Sequence, residues 1–484
     1  MRFPTPVTMA TLAVLGLLAG CKMGPDYARP RVDVTPGFRD QTKAEAASFA
    51  DQPWWEVLGD PVLKGLINEA LERNFDVRIA AQRVAEYRAR AGIQESAFLP
   101  ALTVDTTVDR YRNSLFVPGG GSTNKDFVAQ ASFGWELDLW GRLRRLDESA
   151  LAQALATEEA RRGVFLSTAA QVAQAYFQLR ELDVQMEIAQ ANVAAFRETL
   201  GMFQDRFKGG VASALEVDQA QAALGDAEGY IPDLERQVRA QENLLSFLVG
   251  RVPGPIDRGL GLDAQPLPPR IPAGLPSALL ERRPDVLEAE QLLVSANAQV
   301  GVAQANYFPT LSLTGLLGGV SHNLDQLFGQ GKDWSFGPSF NLPVIQGAGL
   351  KYAKAAAVAR WEQARTHYEA VVNGSLREVS TLLNAYQKLA ELEEVRTRTV
   401  KAHQESVSQA NLRYANGLSN YLEVLTAQQQ LFPAQNGLAR VRLARLATLV
   451  QLYEALGGGW NLKDPEAPGA WKAPDVASAS RQAP

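Results

Sequence analysis

The sequence predicts a mainly α-helical protein that carries a smaller β portion and is built twice from one unit. Three observations support this prediction: an internal repeat, short stretches in which apolar and polar residues alternate, and long proline-free stretches with apolar residues at every third or fourth position. Alternation is typical of strands with one apolar face, whereas the longer period is typical of helices packed as coiled coils.

The internal repeat runs through most of the chain beyond its N-terminal segment. Leu71-Glu72-Arg73 with Asp76-Val77 behind it returns as Leu280-Glu281-Arg282 with Asp285-Val286 behind it. Farther along, the stretch 206–221 returns as 413–428, with Arg, Gly, Leu-Glu-Val and Ala-Gln in the same places. A repeated sequence predicts a repeated structure, so we expect one unit at 61–252 and a second at 277–457. The proline-rich residues 253–276 are predicted to link them.

The N-terminus has the features of a processed lipoprotein. Arg2 precedes an apolar run at 7–18 that is shorter than the roughly 20 residues a spanning helix requires, so residues 1–20 are predicted to be a signal peptide. Leu18-Ala19-Gly20-Cys21 resembles a bacterial lipobox, which would make the only cysteine the lipid-attachment residue. The alternative is a plain signal peptide. Residues 21–60 are expected to form an N-terminal segment, and 458–484 a C-terminal tail.

Each unit is predicted to have the order helix, strand, strand, very long helix, turn, helix. Alternation at 102–108 and at 135–140 gives two strands in the first unit, and weaker alternation at 311–314 and 339–342 gives two in the second. No proline occurs between 141 and 207, and a helix of that length would extend roughly 100 Å. Turns at Gly209-Gly210 and Asn416-Gly417 end the long helices, and Pro232 and Pro433 should kink or interrupt the returning ones.

The four predicted strands of one chain cannot form a closed membrane barrel by themselves. Four short strands are too few to close a barrel, and an open sheet cannot lie in lipid. An apolar face opposite a face with carboxylates nevertheless indicates a membrane barrel with a wet lumen, closed by strands from several copies. Three copies would supply twelve strands, although the pattern alone leaves two, three or four copies open.

Several motifs resemble the TolC-like, NodT-type outer-membrane factor lipoproteins. The resemblance covers residues 21 to about 460, and the sequence elements that it shares are these: Cys21-Lys22-Met23-Gly24-Pro25-Asp26-Tyr27, Trp54-Trp55, Asp60-Pro61, Asn74, Gly92 with Pro100, Trp135-Glu136-Leu137-Asp138-Leu139-Trp140-Gly141, and Arg413-Tyr414 with Gly417 and Tyr421-Leu422. It implies a homotrimer with a twelve-stranded outer-membrane barrel, a periplasmic α-helical tunnel, and an equatorial belt made from the N-terminal segment, the linker and the C-terminal residues. Lys22 also favours the outer membrane, because Asp at that position is the usual inner-membrane retention signal.

The resemblance also implies roles for residues near the two helical turns. It puts the periplasmic aperture at Leu422, Glu423 and Thr426, and a pair that closes the tips at Glu216 and Tyr414. Relatives often carry an acid where this chain has Thr426, so Glu423 alone would charge the ring. From the residues alone, these are ordinary packing and solvent-facing helix positions. The expected contacts with a periplasmic adaptor are Gly209, Gly210, Val211, Ala212, Ser213, Gly417, Leu418, Ser419 and Asn420.

The function implied is the exit duct of a tripartite efflux pump, working with a periplasmic adaptor and an inner-membrane transporter. Two alternatives remain open: a duct for type I polypeptide secretion, and, in a different class, a periplasmic adaptor lipoprotein. No enzyme is expected, since the three histidines, His322, His367 and His403, share no motif and one cysteine makes a cysteine-based metal site improbable. No cofactor is expected, and the net charge of −5 does not favour nucleic acid.

Overall fold

The computed structural model of the protein describes residues 21–39 and 59–458, apart from 117, 119, 269, 270, 275, 346 and 347. The predicted signal peptide, Trp54-Trp55 and most of the predicted C-terminal tail therefore lie outside the described residues. Within the described part, the elements follow in this order: α1 Pro61–Arg73, α2 Phe75–Ser96, β1 Ala101–Arg112, β2 Thr123–Leu137, α3 Arg142–Lys208, α4 Ala214–Leu248, α5 Leu279–Arg282, α6 Pro284–Ala305, β3 Thr310–Ser321, β4 Lys332–Asn341, α7 Gly349–Ala415 and α8 Tyr421–Ala455.

The two repeats fold into matching sets of elements, which confirms the predicted fold class. The long helices α3 and α7 have 67 residues each, and the returning helices α4 and α8 have 35 each. The predicted interruption of α4 and α8 is wrong, because each helix continues through its proline, Pro232 or Pro433. Buried Ala227 and Leu234 flank the proline of α4 and hold the helix on both sides. Among the described helices, none has both the length and the apolar character needed to cross a membrane.

The chain forms two compact units, and each takes residues from both repeats. The first unit comprises Met1–Arg31, Arg83–Glu158 and Glu288–Ala370, and it contains all the described strands. The second comprises Val32–Gln82, Glu159–Leu287 and Val371–Pro484. It contains the turn between α3 and α4 and the turn between α7 and α8.

The first unit contains a four-stranded antiparallel sheet with the order β1-β2-β3-β4. Its register pairs Leu102 with Phe133, Phe133 with Gly315, and Gly315 with Phe336, so these residues share one face. Strand β2 ends at Leu137 and β4 at Asn341, so the strands predicted to reach 140 and 342 are each shorter at that end.

The second unit is held together by a large apolar core between helices and linker. Tyr176 and Leu179 of α3 are fully buried there with Ile256 and Leu262, which lie in the proline-rich linker. The apolar residues at every third or fourth position of α3 form a stripe that runs from Leu179 to Phe207. This stripe is buried as far as Phe203, except that Met186 is only partly buried. Its last member, Phe207, is 49% exposed, because the stripe runs past the end of the packed surface.

The buried carboxylate of Asp60 fixes the linker to the helices of the second unit. Asp60 caps α1 by accepting from the Val62 amide, and it also accepts from the Tyr176 hydroxyl at 2.9 Å and from the Gln265 amide at 2.9 Å. Burial acts to raise the pKa of Asp60, but these hydrogen bonds outweigh it and hold the pKa below its usual value.

Candidate functional site: anchor, sheet face and helical tips

The N-terminal segment of the first unit is fixed to the start of the first long helix. Arg145 of α3 is completely buried, and its guanidinium donates to the carbonyl oxygens of Met23 at 2.9 Å and Gly24 at 3.1 Å, and to Asp26 at 3.0 Å. The Met23 amide donates to the Trp140 carbonyl at 3.0 Å. Cys21 is exposed two residues before this attachment. The predicted lipid-attachment residue therefore has a fixed position next to the end of β2.

Glycines allow the segment to approach this closely. A Cβ on Gly301 of α6 would lie 2.8 Å from both the Met23 carbonyl oxygen and the Arg145 side chain. Gly141 has a φ of +74°, and a Cβ there would lie 2.9 Å from the Lys22 backbone. Any side chain at either position would displace the segment.

The motif at 135–141 forms the junction between β2 and α3. The Trp140 indole donates to the Pro309 carbonyl at 2.7 Å, and Glu136 makes a two-point ion pair with Arg142. The alternation at 135–140 would put Asp138 on the polar face of a strand, and this is wrong because β2 ends at Leu137. Its carboxylate accepts from the amides of Leu143 and Arg144, both at 3.0 Å, and so caps α3.

The two faces of the sheet differ in chemistry, as the alternation predicts. One face carries large apolar side chains on every strand, most of them widely exposed in the single chain: Leu102, Val104, Val108, Phe127, Phe133, Leu317, Trp334, Phe336 and Phe340. The other face carries polar side chains on every strand, among them Asp105, Ser132, Thr314 and Ser335. Among the described residues, strands β1 and β4 each pair with only one neighbour, so both outer edges of the sheet are open there.

The two helical turns of the second unit have the same backbone geometry. Gly210 and Gly417 adopt φ values of +75° and +72°, and the amides that follow bond back to Arg206 and Arg413. The helices that follow begin at the caps Ser213 and Asn420. The nine predicted adaptor-contact residues thus lie in two equivalent turns. The structure adds that each turn exposes two apolar side chains: Val211 and Leu215 in the first, and Leu418 and Leu422 in the second. The prediction omitted Leu215, although the repeat aligns it with Leu422.

The predicted aperture residues lie on one exposed side of the start of α8. Leu422 is 59% exposed, and Glu423 and Thr426 are also exposed. The Thr426 hydroxyl donates to the Leu422 carbonyl at 2.7 Å, and Glu423 forms an ion pair with Arg413 at 3.4 Å. The charge of Glu423 is therefore partly compensated within its own chain.

The predicted closing pair has other partners within this chain. The Tyr414 hydroxyl accepts from Arg206, whose guanidinium also lies over the Tyr414 ring at 5.3 Å. Glu216 accepts from the Ser213 amide at 2.7 Å and the Ser213 hydroxyl at 3.0 Å. These bonds, with the charge of Arg206, hold the pKa of Glu216 below its usual value. The sequence did not indicate that Arg206 would lie beside both Tyr414 and Glu216.

An aromatic cluster lies directly behind this arrangement. The rings of Phe203 and Tyr421 meet edge to face at 4.5 Å, and Tyr414 lies 6.1 Å from each. Tyr421 is buried, its hydroxyl has no hydrogen-bond partner, and burial raises its pKa to about 12. The cluster joins the two turns within the chain. Among the described residues, no group of three or more His, Cys, Asp or Glu could hold a metal ion.

The sequence and the fold both match known proteins. The profile of the family described as "Outer membrane efflux protein" matches residues 66–251 and 275–458, which are the two repeats. The chain belongs to this family. It is 35% identical to the probable efflux pump outer membrane protein TtgC of Pseudomonas putida, over 94% of this chain and 96% of that protein. It is 30% identical to the cation efflux system protein CusC of Escherichia coli, over 94% of this chain and 99% of that protein.

A solved structure extends the likeness to three dimensions. The open state of the MtrE outer membrane channel of Neisseria gonorrhoeae matches with a TM-score of 0.81 and 32% identity, over 91% of this chain and 98% of that structure. The resemblance to TolC-like outer-membrane factors stated from the sequence is thereby confirmed.

Proposed function

We propose that this chain is the outer-membrane exit duct of a tripartite efflux pump, which passively conducts small toxic compounds from the periplasm to the outside. The observation that carries this proposal is the sheet of the first unit. It has one exposed apolar face, one polar face and two open edges. In water such a face would aggregate, whereas lipid would cover it and leave the polar face to a wet lumen.

Closure of the sheet calls for further copies of the chain. Backbone groups on the open edges of β1 and β4 would be unsatisfied in lipid, and pairing the edges of successive copies removes that cost. Three copies give the twelve-stranded barrel that the family resemblance implies. The long helices of the same trimer would form the wall of a periplasmic passage. The efflux roles in the names of TtgC and CusC agree with this proposal.

The remaining parts of the duct follow from the turns and the anchor. The exposed apolar side chains of the turns, Val211 and Leu418, would dock on a periplasmic adaptor, which in turn meets an inner-membrane transporter. Leu422, Glu423 and Thr426 would line the aperture. Cys21 would carry the lipid, since its attachment beside the end of β2 lies at the helical end of the apolar face.

Export by cells that lack the chain tests the proposal. We expect the deletion strain to accumulate toxic solvents and antibiotics, and the wild-type gene to restore export. Phe336→Arg puts a charge on the apolar face at a cost of about 2–4 kcal/mol and should prevent insertion. Ser335→Arg, one residue away on the polar face, should insert and export. Unchanged accumulation in the deletion strain would exclude an efflux role, and equal insertion of the two variants would exclude the assigned faces.

Mass spectrometry of the purified N-terminus tests the anchor. We expect the mature chain to begin at Cys21 with a covalent lipid. Cys21→Ser should lower the yield of assembled trimer more than it lowers export per trimer, because the barrel itself spans the membrane. An unmodified Cys21, or cleavage at another residue, would contradict the proposed anchor.

A further inference from the structure

The charged residues of the four strands are sorted completely by face. Every acidic strand residue lies on the polar face, and every basic strand residue lies on the apolar face. Three dipeptides make this visible: Asp109-Arg110 on β1, Lys125-Asp126 on β2 and Lys332-Asp333 on β4. Because successive side chains of a strand point to opposite faces, each dipeptide sends its acid to one side and its base to the other. We call the four basic residues, Arg110, Arg112, Lys125 and Lys332, the basic row.

The basic row lies at the end of the sheet that is farthest along the strands from the helices. Arg110 and Arg112 end β1, Lys125 lies near the start of β2, and Lys332 begins β4. All four side chains are exposed, and the apolar face continues directly from them through Val108, Phe127 and Trp334.

The four positive charges of the basic row are unpaired in the part of the chain that the structure describes, where none of the four side chains takes part in an ion pair. Arg110 and Lys125 are direct cross-strand partners, an arrangement of like charges that destabilises a sheet unless an anion lies between them. The carboxylate of Asp126, the residue next to Lys125, lies on the polar face, where it contacts a ring nitrogen of His322 at 2.8 Å.

The cations at the start of α3, beside the opposite end of the sheet, have partners within the chain. There, Arg142 pairs with Glu136 at 2.6 Å, and Arg144 pairs with Asp138 at 3.1 Å. Arg142 and Arg144 are thus neutralised within the chain, whereas the cations of the basic row, at the other end of the sheet, are available to bind an anion from outside the chain.

We propose that the basic row binds the phosphate groups of an anionic lipid in the outer leaflet. This inference rests on the proposed function, because it takes the apolar face to meet lipid. Cations directly beyond a lipid-facing apolar band lie at the depth of lipid headgroups, and guanidinium and ammonium groups are the usual partners of phosphate there. The phosphate would also relieve the repulsion between Arg110 and Lys125.

Lipid binding by the purified full-length protein tests this inference. The protein is placed in nanodiscs of zwitterionic lipid, with either phosphorylated lipid A or the same lipid A after removal of its phosphates, and bound lipid is counted by native mass spectrometry. We expect strong preference for the phosphorylated form. Each basic residue near an anionic surface contributes about fivefold, so Arg110→Gln with Lys125→Gln should bind about thirtyfold more weakly.

Two further variants separate charge from structure. Arg110→Lys keeps the charge and should keep the affinity. Arg396→Gln with Arg398→Gln removes two exposed cations of α7 and should change nothing. If the double variant of the basic row does not insert, the wild-type protein is measured at low and high salt instead. Added salt should then weaken the binding of phosphorylated lipid A and leave the binding of the dephosphorylated form unchanged.

The outcomes distinguish this inference from the proposed function. A wild-type protein that inserts and conducts but binds both forms of lipid A equally would overturn the inference alone. Unchanged affinity in the double variant would also overturn it. A wild-type protein that does not insert would overturn the inference and the proposed function together.

Discussion

The two helical turns of the second unit have nearly the same backbone and different side chains. Each begins with a glycine in the left-handed region, Gly210 or Gly417, and ends at a polar cap, Ser213 or Asn420. Each exposes two apolar residues at aligned positions. The matching surfaces indicate that both turns can meet the same kind of partner.

The side chains behind the turns differ between the repeats. The second repeat supplies Tyr414 and Tyr421 to the aromatic cluster, whereas the aligned residues of the first are Phe207, which is exposed, and Ala214. The first repeat contributes only Phe203 to the cluster, and the second turn depends on packing against that ring. This difference predicts that both turns dock on the adaptor, whereas closure of the aperture depends on the second turn.

The largest expected effect is a block of export by cross-linking at one turn only. Thr426→Cys should link subunits with a short thiol reagent and abolish export, because three copies would meet at the aperture. Gln219, the exposed residue that the repeat aligns with Thr426, gives the matched control, and Gln219→Cys should not link. Cys21 is the only natural cysteine and would be consumed by lipid. Absence of linked species at Thr426→Cys, or export that continues despite linkage, would contradict the assigned aperture.

Removal of a buried ring should open the second turn. Tyr421→Ala is expected to destabilise the tip by about 3–5 kcal/mol, since the ring is buried and edge to face with Phe203. Amide exchange at 410–425 should accelerate, and bulky antibiotics should enter cells more readily. Tyr421→Phe should be neutral, because the hydroxyl has no hydrogen-bond partner. Phe207→Ala in the first repeat should change little, and an equal opening by this control would remove the distinction between the turns.

A smaller difference is expected between two aligned arginines. Arg206 donates to Tyr414 and lies over its ring, so Arg206→Gln should cost about 1 kcal/mol. Arg413 makes an exposed ion pair with Glu423 and a long, exposed hydrogen bond to the Leu418 carbonyl, both at 3.4 Å. Arg413→Gln should therefore cost less and lose most of its effect in high salt. Antibiotic entry at low and high salt measures both. A larger effect at Arg413 would indicate that the charge of Glu423, not the aromatic cluster, holds the tip closed.

The sequence predicted the parts of the fold that depend on local patterns. The repeat, the strand alternation and the recurrence of apolar residues at every third or fourth position predicted every long element and both turns. Alternation and recurrence depend on residues only a few positions apart, and the repeat places the same elements in both units. The sheet faces also followed, since pairing in register keeps apolar positions together.

Long-range partners could not be predicted in the same way. Asp138 alternates correctly with its neighbours, yet it caps α3, because the strand ends one residue earlier. Arg145 gave no signal in the sequence, although it is buried against the N-terminal segment. Arg206 and Tyr414 lie 208 positions apart, and only the packed tip brings them together. The roles of the aperture, closing and docking residues stay predictions.

The smallest expected effect concerns a pH-dependent cap at the first turn. Hydrogen bonds from Ser213 and the charge of Arg206 lower the pKa of Glu216, so ionised Glu216 stabilises the start of α4. A lowered pKa means that this stabilisation is present above the unfolded pKa, about 4.3, and is lost as the pH falls through the folded pKa. The hydrogen bonds between Glu216 and Ser213 are open to solvent, which limits the effect to a few tenths of a kcal/mol. Amide exchange at 214–218, corrected for its intrinsic pH dependence, should lose protection as the pH falls below the unfolded pKa of about 4.3. Glu216→Gln keeps an acceptor but cannot ionise, and it should show no such step. Protection that increases as the pH falls, or an equal step in Glu216→Gln, would show that another group controls the turn.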